Sequence, residues 1–118
     1  MAKYEIVDGV GIIPEGVTVI DSFAFNDCSS LKSVVIPEGV TEIGRYAFSN
    51  CTSLSSVVIP SSVTEIGGGT FSRTSLTNIV IPEGVTMISS QTFSGCTSLK
   101  SIEIPSTVTW LGDDARSE

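Results

Sequence analysis

Three cysteines, Cys28, Cys51 and Cys96, are the side chains best suited to nucleophilic, redox or metal chemistry. They need partners to do it, and the chain contains no histidine. That removes the commonest general base together with every Ser–His and Cys–His pair. A tetrahedral metal site would need a fourth ligand converging on the thiols, and none is visible. Asp113 and Asp114 supply two carboxylates, too few for a calcium site of six to eight oxygens. Gly67-Gly68-Gly69 lacks the Lys-Ser/Thr and the following helix that make a glycine run a phosphate loop. It reads instead as a loosened return loop. The Asn50-Cys51-Thr52 sequon is a chance match if Cys51 is buried. The residues therefore predict no catalytic, metal or cofactor site.

Charge narrows the partners. Six Lys and Arg against 13 Asp and Glu give a net charge of −7, without a basic cluster. Nucleic acid and anionic lipid are bound through Lys and Arg, so neither is expected. No apolar run approaches the roughly 20 residues of a membrane span. The first residues, Met1 to Glu5, show no apolar signal-peptide core. This fits either a cytoplasmic chain or one whose signal is absent from the sequence.

The cysteines share one place in a repeat, and the repeat dictates the fold. Pro14, Pro37, Pro60, Pro82 and Pro105 each follow isoleucine, at spacings of 23, 23, 22 and 23 residues. Valine-threonine pairs follow every proline (Val17-Thr18 through Val108-Thr109). A period in the twenties marks a solenoid, whose units bury their apolar faces only by stacking. Within one unit, Leu31, Val34 and Ile36 point inward, and the last four residues, 33–36, alternate as a strand. Ile-Pro-Glu-Gly reads as a type I turn with proline second and glycine fourth. Val and Ile of V-T-E-I are buried next, and a short helical or irregular return sinks Phe25, Phe48, Phe71 and Phe93 into the core. The cysteines then form a ladder of small buried hydrophobes, missing from the third repeat, where S-R-T-S-L replaces S-N-C-T-S-L. We expect one domain over 1–118. Residues 1–12 form an N-terminal cap, 13–103 four repeats, and 104–118 a partial fifth repeat and C-terminal cap.

The phrase I-P-x-x-V-T-x-I-G-x-x-A-F-x-x-C-x-S-L-x-x-I/V-x-I-P resembles the BspA-like leucine-rich-repeat family of many bacterial surface proteins. It covers about Ile13 to Leu111. The resemblance implies a right-handed curved solenoid with parallel strands on its concave side, an extracellular or cell-surface location, and protein binding. Thr70 and Thr92, where alanine is usual, and Arg116, in place of a fifth phenylalanine, depart from the pattern.

Two outward columns could serve recognition. Stacked strands set equivalent residues about 4.8 Å apart. One column reads Val35, Val58, Val80, Glu103, beside Ser33, Ser56, Asn78, Ser101. It is an apolar stripe with a polar border, the character of a binding surface, although small against the usual 800 Å² or so per partner. The other column, Thr18 to Thr109, resembles an ice-binding ladder. Its neighbour column (Val19, Glu42, Glu65, Met87, Trp110) is mixed and charged, so it reads as ordinary solvent-facing strand. The expected function is a non-catalytic, adhesin-like interaction module that binds a protein through the concave strand face. The competing expectation is a homo-oligomer stacked through the C-terminal coil at Trp110 and Leu111, with Trp110 set beside Met87.

Overall fold

The computed structural model describes residues 3–89 and 91–110, which wind as a β-solenoid of about four turns without a helix. The returns take the irregular form. The chain enters through β1 (Glu5–Val7), antiparallel to β2 (Val10–Ile12) across an Asp8-Gly9 turn with positive φ at both residues. Such a two-residue hairpin turn requires that backbone.

One side of the coil carries β2, β4 (Ser33–Val35), β6 (Ser56–Val58), β8 (Asn78–Val80) and β10 (Ser101–Glu103). The second carries β3 (Val19–Ile20), β5 (Glu42–Ile43), β7 (Glu65–Ile66), β9 (Met87–Ile88) and β11 (Thr109–Trp110). Pairing between coils is parallel, as in Val34 opposite Val57 and Ile43 opposite Ile66. Between the sides, the turn starts one residue later than the sequence suggests: Val40 N–H donates to Pro37 O at 3.3 Å. Proline is thus the first residue and glycine the third, where Gly16 and Gly39 supply the positive φ of a type II turn.

The third side is built of turns bonded coil to coil. Phe25 N–H donates to Ala47 O at 2.7 Å and Phe48 N–H to Thr70 O at 2.9 Å. Two columns here take left-handed backbone, Phe23/Tyr46/Gly69/Gln91 and Asp27/Asn50/Arg73/Gly95. Each return can therefore reverse direction twice in a few residues. Between these columns the phenylalanines point inward. Phe25, Phe48, Phe71 and Phe93 are fully buried and stack in series, with centroids 5.4, 5.7 and 6.0 Å apart and planes within 11°.

The glycine run is close-packed, which corrects the loosened loop expected there. A Cβ on Gly67 would sit 2.5 Å from Arg45 N, and one on Gly69 would overlap the Tyr46 ring. Tyr46 N–H donates to Gly68 O at 3.1 Å. The cysteine column is also continuous. Thr74, buried, takes its place in the third repeat, its hydroxyl 2.9 Å from Phe71 O and 3.4 Å from Cys96 Sγ. The residue dropped from the period therefore falls between Ser75 and Leu76, where the other repeats make a turn and this one does not.

The strand sides part at this shortened repeat. The first sheet runs β1-β2-β4-β6 and resumes as β8-β10; the second runs β3-β5-β7 and resumes as β9-β11. Among the described residues no backbone hydrogen bond joins β6 to β8 or β7 to β9. The returns stay joined across the same junction, through Phe71 N–H to Thr92 O at 3.1 Å and Arg73 N–H to Ser94 O at 2.8 Å.

Candidate binding face

The strand alternation that buries Val34, Val57 and Ile79 turns their neighbours outward. Val35, Val58 and Val80 are 68%, 71% and 57% exposed, and Glu103 lies opposite Val80. Ser56, Asn78 and Ser101 beside them are exposed, and Ser33 is half-buried. The predicted residues thus stand in two adjacent columns, each interrupted between β6 and β8, and the valine column extends by one residue. Ile12, 43% exposed, lies opposite Val35 and belongs to the stripe. Its place immediately before Ile13-Pro14, like Val35 before Ile36-Pro37, was the signal for it.

The stripe has relief. At the sheet break a cleft of about 330 Å³ opens between β6 and β8, lined by Ser56–Ile59 and Asn78–Val80. At its N-terminal end a smaller groove, about 200 Å³, is lined by Ile12, Val35, Glu15 and Pro37 among others. A groove of about 520 Å³ marks the same break on the second sheet, with Glu42, Arg45 and Glu65 in its wall.

The other sequence-predicted features separate. Trp110 is exposed at 39%, but β11 pairs with Thr109 opposite Met87 and Trp110 opposite Ile88. That register is one residue out of step with the repeat, so Trp110 is not the cross-strand neighbour of Met87. Leu111 and the carboxylates of Asp113 and Asp114 lie outside the described residues. The threonine ladder turns its hydroxyls onto the neighbouring coil: Thr41 Oγ1 donates to Thr18 O at 3.2 Å and Thr64 Oγ1 to Thr41 O at 3.3 Å.

The thiols behave as core. Cys51 Sγ donates to Phe25 O at 3.0 Å and Cys96 Sγ to Phe71 O at 2.9 Å, both residues buried. Burial pushes the Cys51 thiol up to about 12, which keeps it protonated and unreactive. Cys28 departs from the expected ladder in being only half-buried, although burial still raises its pKa. The sequon's Asn50 donates its side-chain amide to Asp27 Oδ1 at 2.8 Å, and Cys51 beside it is buried. Among the described residues no three His, Cys, Asp or Glu side chains converge as metal ligands would.

The BspA type leucine rich repeat region matches residues 11–117 in six copies. A leucine-rich repeat protein of Bacteroides ovatus superposes with a TM-score of 0.76 at 41% identity, over 79% of this chain and 24% of that one. The T. pallidum leucine rich repeat protein gives 0.79 at 37% identity, over 83% of this chain and 47% of that one. A leucine rich cell surface protein of Faecalibacterium prausnitzii gives 0.70 at 42% identity, over 79% and 26%. The chain thus spans between about a quarter and a half of these structures. No curated protein sequence matches it significantly.

Proposed function

The chain belongs to the BspA-type leucine-rich-repeat family, and from that premise we propose that it is a non-catalytic protein-interaction module, adhesin-like and displayed at a cell surface. Its partner lies against the strand face, which we take as the concave side of the coil. The exposed row Ile12, Val35, Val58, Val80 carries this reading. β-Branched residues suit strands on either face, but four of them turned outward, bordered by Val10, Ser33, Ser56 and Asn78, leave apolar area that a partner can cover. A partner would be read through side chains of several coils at once, so its affinity would depend on their spacing.

Val58→Lys tests this directly. At 71% exposure the substitution should leave melting within about 1 kcal/mol of the parent. Peptides selected for binding to the parent should be lost. A variant that melts far lower places Val58 in the core; one that binds unchanged removes the stripe from recognition.

A second reading is self-association through the C-terminal coil, favoured by the exposed Trp110. Light scattering across a dilution series separates the two. A mass that rises with concentration and falls back in Trp110→Ser supports stacking, while a constant monomer excludes it.

A further inference from the structure

We propose that the strand face takes an extended peptide segment with one bulky apolar anchor between two cationic residues, the anchor seated in the slot between β6 and β8. This rests on the binding reading above and gives the partner its chemistry.

The register carries the argument. Antiparallel pairing sets Glu5 opposite Ile12, and parallel pairing sets Ile12 opposite Val35, Val35 opposite Val58 and Val80 opposite Glu103. Directly opposed residues project to the same face of a sheet. The outward column therefore reads Glu5, Ile12, Val35, Val58 on one side of the sheet break and Val80, Glu103 on the other, with Val58 and Val80 both exposed beside it: two apolar runs, each closed at its outer end by a carboxylate. Among the described residues the single ion pair is Lys3–Asp21, and neither terminal glutamate has a salt-bridge partner among them. Lys32 and Lys100 immediately precede Ser33 and Ser101, on the serine side of the stripe, the Lys32 stem lies over Gly9, and Lys3 near Glu5 is paired with Asp21.

Four paired strand steps of about 4.8 Å and the wider, unbonded step across the cleft put the two carboxylates roughly 25 Å from each other, which an extended chain spans in about seven or eight residues. A helix would need about sixteen residues for the same span and a groove wide enough for its roughly 10 Å diameter. The stripe is one side chain wide, so an extended segment is the better fit.

The slot fixes the register of that segment. Hot spots are anchors in desolvated pockets near the middle of an interface, and this cleft of about 330 Å³ is the relief at the centre of the stripe. It lies about one and a half strand steps from Glu103 and three and a half from Glu5. A segment anchored there meets the carboxylates with Lys or Arg about two residues to one side and about five to the other.

The test pans random 12-residue displayed peptides on the immobilised full chain at low salt. We expect enriched peptides with one Leu, Phe or Trp and basic residues at those two offsets. Glu103→Gln should weaken them several-fold, and added salt should do the same. Inserting serine between Ser75 and Leu76 restores the full period; the two sheets should close and binding fall at least tenfold. Asn78→Trp, which plugs the slot from its exposed rim, should give the same loss if the insertion variant fails to fold. If Val58→Lys abolishes binding while both slot variants bind as the parent does, the slot inference is wrong and the binding reading stands. Enrichment of acidic or anchorless peptides also overturns the inference. If nothing is enriched, or Val58→Lys binds as the parent does, both fail.

Discussion

Phe48→Ala measures how much of the fold hangs on the aromatic column. Phe48 is fully buried, with Phe25 stacked on one face at 5.4 Å and Phe71 on the other at 5.7 Å. Removing a buried phenylalanine ring costs about 3–5 kcal/mol in lost transfer energy and residual cavity. Two stacked neighbours, each pair worth about 0.5–1.5 kcal/mol, put this site at the upper end. Relaxation is limited because the neighbouring rings are held by their own coils. Against a total of roughly 6–18 kcal/mol for a chain of 118 residues, that is a large share. Urea unfolding followed by far-ultraviolet circular dichroism and by Trp110 fluorescence gives both the loss and a check that the coils melt together. Phe23→Ala is the control. Phe23 is 52% exposed and stacks on Tyr46 alone, so its removal should cost about 1 kcal/mol. A loss under about 2 kcal/mol at Phe48, or an equal loss at Phe23, refutes the column as the core.

Gly67→Ala should destabilise by about 2 kcal/mol or more, since its Cβ meets rigid backbone at Arg45 rather than a movable side chain; thermal melting reads this out. Native thiol labelling should modify Cys28 first and leave Cys51 and Cys96 untouched until the coil opens, and equal rates at all three would contradict their burial. The Cys51 thiol titrates near 9.0 when unfolded and about 12 when folded. Its contribution to stability is therefore complete below pH 9 and drains as pH rises toward 12. The slope is at most about 1.4 kcal/mol per pH unit. Denaturant midpoints measured from pH 8 to 11 should show it, and Cys51→Ala should reduce that slope, leaving the smaller part that the raised Cys28 thiol contributes.

The period, the inward Leu-Val-Ile pattern and the phenylalanine column were all readable from residue order because stacking repeats one environment many times. So was the outward valine row, which alternation alone requires. What escaped was geometry that depends on how coils meet. Ile12 joins the stripe only because the hairpin entry keeps β2 in register with β4. Thr74 looks like the loss of a cysteine until burial shows it filling the same space. The three glycines suggested slackness, yet Gly67 and Gly69 are small because Arg45 and Tyr46 press against them. The missing residue was visible as a short period. That both sheets part at this repeat while the returns stay joined is a matter of backbone register, which side-chain type does not encode.

The broken ladders also bear on load. A solenoid held at its ends and pulled transmits tension in series through each interface between coils, and it gives way at the one crossed by the fewest bonds. Between the coils of β4–β5 and β6–β7 backbone bonds cross on all three sides; at the next interface, between β6–β7 and β8–β9, they cross at the returns alone. Stretching should therefore separate the molecule there first, at low force, into two blocks that each keep their own ladders. In a tethered setting that interface acts as a mechanical fuse: it extends under a tug and can reseat when the tension drops.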